Sequence, residues 1–451
     1  MRPLFVLLIC SCWLTTTAQS IDSSFFAKRI PPPWYDSVKL GIMIHWGIYS
    51  VPGFSADTTI ERPHHWSEPL VKYGEWYWHS QREGYEPVAS FHQRVYGAGT
   101  TYPELASRWQ AELFDPGQWA DLFQRAGAGY VVLVAKHHDG FALWPSAYSW
   151  NWNSAELGPK RDLVGDITDA VRRRGLRMGY SYSLDAWYDP LFLGDFPRYV
   201  QEQVHPQLKE LVRTYRPDIL VPGGHGAATA KGWGSPEFLR WLYHDSPVGE
   251  QVVVNDRWGR DVLRKFGDYA TFQYSDVDTK KRFQGKWEEM RSLGGSFGYS
   301  RTERAEDFMS ADSLIETLVK VVARGGNLLL NVGPTAEGRI PPLVEDRLLE
   351  LGRWLALNGE AIYGSQAWPN DYFLVTQRSG QRYLFLLDWP GATVSLPADW
   401  LSQGQALHLL GLSQPLTWRK QGDQAVVEIP LGELDPSYLR HVYVLRWGDG
   451  H

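Results

Sequence analysis

Residues Tyr130–Asn153 read YVVLVAKHHDGFALWPSAYSWNWN, and the way this stretch begins decides the fold. Val131–Ala135 (VVLVA) is an unbroken apolar, β-branched run, the mark of a strand buried on both faces, as in a parallel sheet. Lys136, His137, His138 and Asp139 follow at once, then Gly140 and Phe141. Barrel and doubly wound α/β folds place their sites at the C-terminal ends of such strands. A single histidine there is most often a satisfied structural residue. Two adjacent ones, read as facing opposite ways and each needing its own polar partners, point with the acid and the glycine to a site. The aromatics behind them (Phe141, Trp144, Tyr148, Trp150, Trp152) suit a sugar, whose C–H faces stack on rings while its hydroxyls take hydrogen bonds.

The same grammar recurs upstream. Pro31–Tyr35 (PPPWY) reads as a stiff lead-in, and Leu40–His45 (LGIMIH) as a short buried strand with His45 and Trp46 at its exit. The aromatic segment from there to about Tyr102, holding Glu75-Trp76-Tyr77-Trp78-His79, shows little periodicity and reads as a lid or binding loop. Helical spacing follows over Asp115–Ala126, with Asp115 as N-cap and Pro116 in the first turn, and again over Asp162–Arg174. A strand at Arg177–Ser183, a helix near Phe196–Tyr215 and a strand at Ile219–Pro222 continue the alternation. It runs on through Gln251–Asn255, Leu314–Arg324, Leu328–Val332 and Pro342–Ala356. Such alternation predicts an α/β fold, a (β/α)8-type barrel over residues 25–365. Short alternating runs between Gly, Pro and Asp turns then predict a C-terminal antiparallel β-sandwich over 366–451.

Composition narrows the function. The chain has 451 residues, 43% apolar and 21% charged, with 22 Trp and 23 Tyr, so its aromatics build either a rich core or a carbohydrate surface. A net charge of −6 and the lack of a long basic run argue against nucleic acid. Met1–Ala18 reads as a signal peptide: Arg2, an apolar core from Leu4 to Leu14, and Thr16-Thr17-Ala18 as cleavage site. That core is too short to span a bilayer, and no later apolar run is long enough, so the expectation is a secreted protein with no membrane partner. Both cysteines, Cys10 and Cys12, lie in the leader, which leaves the mature chain without a disulfide. No Asn-x-Ser/Thr acceptor and no ligand triplet at metal spacing occurs, and no cofactor is expected.

GIMIHWG (41–47), EWYW (75–78), AKHHDGF (135–141), SWNWNS (149–154), GPKRDLVGD (158–166), VVVNDRWG (252–259), KWE (286–288) and GGNLLLNVGPTAEG (325–338) together resemble the signature stretches of the retaining α-L-fucosidases. The resemblance runs through Trp34–Gly364. It implies a barrel followed by a β-sandwich, with a pocket for a terminal L-fucose of fucosylated glycans. The matching residues His45, Glu75, Trp76, His137, His138 and Arg257 are those that line the sugar pocket in that family. Their chemistry agrees: imidazoles, a carboxylate and a guanidinium for hydroxyls, an indole for the apolar face.

Retaining hydrolysis needs two carboxyl groups about 5–5.5 Å apart, one as nucleophile and one as acid/base. In the resembled family the nucleophile is an aspartate just past a strand that opens with Pro-Asp. Here that strand is Pro217-Asp218-Ile219-Leu220-Val221-Pro222, and Gly223 stands where the nucleophile is expected. Three further departures accompany it: Val221 for a pocket aromatic, His225 for an acid, Ser181 for a tyrosine. Of two acid/base candidates, Gln273 stands where a glutamate is common, while Glu288 keeps its carboxyl. An amide has no proton to give at neutral pH. The expectation is a fucose-recognising relative with hydrolysis impaired or lost. The alternative is a working secreted α-L-fucosidase that uses a relocated carboxylate such as Glu288 or Asp276.

Overall fold

The computed structural model describes residues 21–56, 73–277, 283–370, 372–389, 391–430 and 441–448. The leader and part of the aromatic segment lie outside them. Eight parallel strands form one curled sheet: β1 (Leu40–Ile44), β2 (Tyr130–Lys136), β3 (Arg177–Ser183), β4 (Ile219–Gly223), β5 (Val253–Val254), β6 (Ala270–Gln273), β7 (Trp287–Ser292) and β8 (Gly326–Val332). Their order is β5-β4-β3-β2-β1-β8-β7-β6. A parallel bridge between Asn255 and Tyr269 joins the two edges, and the Asp268 N–H donates to the Val254 carbonyl at 2.8 Å. The sheet is thus a closed barrel. Arg29, just past a short N-terminal helix, braces the seam by donating to Asp268 Oδ1 at 2.6 Å and to the Val252 carbonyl at 2.9 Å.

Alternation along the strands sorts the side chains. Ile219 and Val221 point into the barrel with Met43, Val132, Val134, Val253 and Met290, whereas Leu220 packs outward. Gly223, two residues beyond Val221, therefore faces the interior at the C-terminal mouth. Every residue of β2 is buried, which explains why it carries no polar residue before its end. The outer faces are covered by helices whose starts are readable in the sequence. Asp115 caps Pro116–Arg125 by accepting from the Gly117 and Gln118 N–H groups, and Asp162 caps Leu163–Arg173 through Gly165 N–H.

Four expectations need correction. Pro31–Tyr35 is not a linker, because Pro33 opens a helix over Pro33–Val38, where its missing N–H costs nothing. Strands β6 and β7 carry too many polar residues to read as buried runs and went unpredicted. The helix expected near Phe196–Tyr215 is broken by a π turn at Val200–Val204. The described part of the aromatic segment holds short helices, Tyr77–Arg82, Val88–Tyr96 and Tyr102–Arg108, rather than irregular chain.

Beyond Gln366 the strands are antiparallel and form sheets of five and three strands around a core that includes Val375, Leu384, Leu407, Val427 and Trp447. This sandwich is tied to the last barrel helix, Pro342–Asn358: Trp354 Nε1 donates to the Val442 carbonyl, and Thr376 Oγ1 donates to the Ala361 carbonyl just past it. Among the described residues no helix is long and apolar enough to cross a membrane.

Candidate active site

The C-terminal mouth gathers most of the expected pocket. His45 follows β1 directly; its Nδ1 lies 2.5 Å from Asn331 Oδ1 near the end of β8, and its ring stacks on Phe297 with centroids 5.0 Å apart. Burial pushes its pKa down to about 4, so the ring is neutral at physiological pH. Glu75 comes from the loop after β1. It is buried and accepts from the Gly298 N–H at 2.8 Å and Ser296 Oγ at 3.2 Å. Burial raises its carboxyl to about 6 against these hydrogen bonds.

At the end of β2 the register slips between Val134 and Lys136. The slip sends Lys136 outward, where Nζ donates to Tyr182 OH at 2.9 Å, and regular alternation ends there. His137 and His138 therefore do not face opposite ways. Their ring centroids are 4.4 Å apart in a T-shaped pair. His137 packs against His45 and Tyr49, and its buried Nδ1 has no hydrogen-bond partner among the described residues. Desolvation holds its pKa well below the usual imidazole range, with the neighbouring His138 and His45 adding to the effect. A buried, unpaired nitrogen at a barrel mouth is a group that a ligand hydroxyl would satisfy. His138 lies with Nδ1 2.5 Å from Asp185 Oδ1 and stacks on Trp187 at 5.1 Å, while Trp76 closes on both rings at 5.6 and 4.6 Å.

On the far wall, Arg257 Nη2 donates to Gln273 Oε1 at 3.2 Å. Gln273 ends β6 and faces inward by alternation from the outward Phe272. His225 lies close enough to feel the Arg257 charge; burial first, and that charge second, push its pKa down to about 4. Gly223 pairs in register with Ser183. A β-carbon built on it would approach Ser183 Oγ no closer than 3.5 Å, so the backbone there accepts a side chain.

Glu288 is elsewhere. It is the second residue of β7, four residues and ~13 Å of strand before Ser292 at the C-terminal end. It is fully buried and accepts from Tyr130 OH at 2.6 Å and Tyr35 OH at 2.8 Å. Tyr130 is the first residue of β2, so this cluster is the barrel floor, and the structure does not bring Glu288 to the pocket. Asp276 is exposed in the loop past β6. The aromatic run also divides differently from expectation. Phe141 and Trp144 are core, Trp144 donating to Glu210, and Trp150 is 84% exposed. A ring from outside that run, Trp187, meets both His137 and His138. It and Asp185 were missed, although Leu184-Asp185-Ala186-Trp187 directly follows the predicted strand Arg177–Ser183, the same placement that singled out His137 and His138.

Comparison with known proteins agrees with this geometry. The profile described as Alpha-L-fucosidase matches residues 14–360. The α-L-fucosidase of Dictyostelium discoideum is 38% identical over 448 residues, covering 94% of this chain and 93% of its own. Among solved structures, a Thermotoga maritima α-fucosidase in complex with a mechanism-based inhibitor superposes with a TM-score of 0.79 at 34% identity, over 94% of this chain and 98% of that one. An aspartate-to-glycine form from the same organism, an α-L-fucosynthase in complex with α-L-Fuc-(1-2)-β-L-Fuc-N3, gives the same values. A closed eight-stranded barrel with this mouth, followed by a β-sandwich, and a match across nearly the whole length place the chain in the α-L-fucosidase family.

Proposed function

We propose that the protein recognises terminal α-L-fucose on glycans and has lost the retaining route of hydrolysis. The observation that carries this reading is a contrast within one mouth. His45, Glu75, Trp76, His137, His138 and Arg257 surround it, while its inward-facing strand ends at β4 and β6 carry Gly223 and Gln273. A covalent fucosyl intermediate needs a carboxylate in line with the anomeric carbon, and its formation needs a proton for the leaving oxygen. Glycine supplies no nucleophile and glutamine no proton. The Thermotoga form that has glycine in place of an aspartate still holds a fucosyl disaccharide azide, which supports sugar binding without that side chain.

The reading with Glu288 as relocated carboxylate has less support, because the group is sealed under the barrel by two tyrosine hydroxyls. Turnover of an aryl α-L-fucoside by the purified mature protein tests the proposal. The expected rate lies orders of magnitude below a typical enzyme turnover, and ~1–10 s⁻¹ would contradict it. We also propose export of the chain after cleavage behind Ala18, with residues 25–365 and 366–451 as its two domains. Recovery from culture medium of a protein whose N-terminus is Gln19 would check the export.

A further inference from the structure

Asp185 is the unexpected carboxylate of the mouth. It stands two residues past β3, the strand whose last residue pairs with Gly223, and its side chain is 14% exposed. Its position is tied to that of the missing side chain. A β-carbon built on Gly224 would lie 2.0 Å from Asp185 Oδ1 and 3.0 Å from Oδ2, so the carboxylate rests against the backbone immediately after Gly223. Consecutive Cα atoms are ~3.8 Å apart, which puts Oδ1 at most about 7 Å and Oδ2 at most about 8 Å from the Gly223 Cα. Gly224 itself has φ +65°, a left-handed conformation that glycine adopts without strain and that lets the carboxylate sit there.

Two features make this carboxylate more than a surface acid. His138 Nδ1 at 2.5 Å holds Oδ1, which fixes the orientation of the group and leaves Oδ2 as the oxygen open to a further partner. The β-carbon position of Gly223 is also clear of clashes, with Ser183 Oγ at 3.5 Å as its polar neighbour. Asp185 follows the strand that hydrogen-bonds β4, so its carboxylate stands beside the nucleophile position, displaced by about a strand spacing, ~4.8 Å. In inverting glycosidases the carboxyl pair is separated by roughly 6.5–9.5 Å instead of 5–5.5 Å, and the extra distance accommodates one water.

Resting on the fucose pocket proposed above, we propose that Asp185 is a general base that activates a water beside Gly223, so that the remaining hydrolysis of α-L-fucosides with good leaving groups proceeds with inversion. The water oxygen bonds to the anomeric carbon as the bond from that carbon to the aryl oxygen breaks. The electron pair leaves with the phenolate, which needs no proton from position 273. One water proton passes to Asp185 Oδ2 and then to solvent, and the sugar product is β-L-fucose. His138, through its contact with Oδ1, is a positioning residue for this step as well as a pocket wall.

The test is hydrolysis of 4-nitrophenyl α-L-fucoside by the full mature chain, followed by proton NMR before the product mutarotates. Wild type, Asp185→Asn and Gly223→Asp are compared, and each is also titrated with L-fucose. Slow turnover above the buffer rate with β-L-fucose appearing first is expected from wild type. Asp185→Asn keeps an oxygen for His138, so it should melt within a few degrees of wild type and bind L-fucose within about threefold, yet lose at least a hundredfold in turnover. A merely structural Asp185 would leave turnover within a few-fold, and that result overturns the inference. So does α-L-fucose as first product, or no turnover above buffer while L-fucose still binds. Slower β-L-fucose formation in Gly223→Asp is expected, because the new side chain fills the space of the water; faster formation of the β anomer would count against the assignment. Failure to bind L-fucose would instead strike the pocket reading on which the inference rests.

Discussion

The two ends of the barrel hold buried glutamates that look alike by one criterion and differ by every other. Glu75 at the mouth is raised to about 6 and Glu288 at the floor to about 7, both chiefly by burial. A raised carboxyl in a barrel enzyme is a conventional pointer to catalysis. Here it points correctly at neither end by itself. Glu288 is enclosed by Tyr35, Tyr130 and the strands around them, away from any ligand held at the mouth. Glu75 keeps company with His138 and with a loop whose backbone N–H groups aim at it. What separates the two acids is where they sit and what they touch: Glu75 lies at the mouth among the histidines, while Glu288 Oε2 takes the Tyr35 and Tyr130 hydroxyls at the closed end of the barrel.

The largest expected effect lies at the floor. Glu288→Ala leaves two buried tyrosine hydroxyls without an acceptor and opens a cavity, which should cost roughly 3–5 kcal/mol in urea unfolding. Any folded fraction should bind L-fucose as wild type does. A variant of ordinary stability that had lost fucose binding would reverse the roles assigned to the two ends.

Titration sharpens the same contrast. A carboxyl raised from 4.5 to about 7 on folding favours the neutral form in the folded state. Its stabilisation is complete below the unfolded value and is lost as pH rises through the folded one, a change on the order of a few kcal/mol. Glu288→Gln keeps an uncharged acceptor for both tyrosines. Its stability relative to wild type should therefore rise between pH 5 and pH 8, as read by unfolding at both values. His45, held down to about 4, works in the opposite sense, contributing stability above about 6.5 that is lost as pH falls. A pH-independent difference between wild type and Glu288→Gln would mean that the floor is not sealed.

At the mouth the effects should be on binding. His137→Ala removes a ring wedged between His45, Tyr49 and His138. It should weaken L-fucose at least tenfold, about 1.4 kcal/mol. The melting temperature of wild type should rise in tens of millimolar L-fucose and that of the variant should not. Equal shifts in both would remove His137 from the pocket.

The last contrast distinguishes adjacent glycines, and its Gly223 arm is the smallest effect expected. Gly224→Ala puts a β-carbon on a left-handed residue and into the Asp185 carboxylate, and should cost roughly 1–3 kcal/mol. Gly223→Asp meets no such obstacle and should cost less than about 1 kcal/mol in the same denaturant series. By itself it should not restore rapid retaining turnover, since Gln273 still has no proton to give. Activity only in the double variant Gly223→Asp with Gln273→Glu would identify position 273 as the lost acid/base.

Much of this was legible in the sequence because strands buried on both faces cannot hide. Leu40–Ile44 and Tyr130–Ala135 are apolar or aromatic throughout, Arg177–Ser183 is legible by its place in the alternation, and the polar residues at the exits of the first two mark the mouth. Trp-Glu-Glu-Met-Arg-Ser (β7) and Ala-Thr-Phe-Gln (β6) gave no such signal, since Glu288, Glu289 and Gln273 find partners from elsewhere in the chain, Tyr35 and Tyr130, Ser275, and Arg257. The orientation of the two histidines depends on a one-residue slip in β2, which no periodicity reveals. Aromatic density was ambiguous for a related reason. Trp109 and Trp119 pack on Trp46 as core, and Phe141 and Trp144 after His138 are core as well, whereas Trp187, in an equally aromatic stretch, stacks on His138 at the mouth.

Calorimetric titration of the mature protein with L-fucose, with Arg257→Ala alongside, tests the mouth most directly. Binding near millimolar, about −4 kcal/mol, is expected for wild type, with none detectable in the variant. Absence of any heat from wild type at tens of millimolar L-fucose, with the protein folded, would contradict a fucose pocket at this end of the barrel.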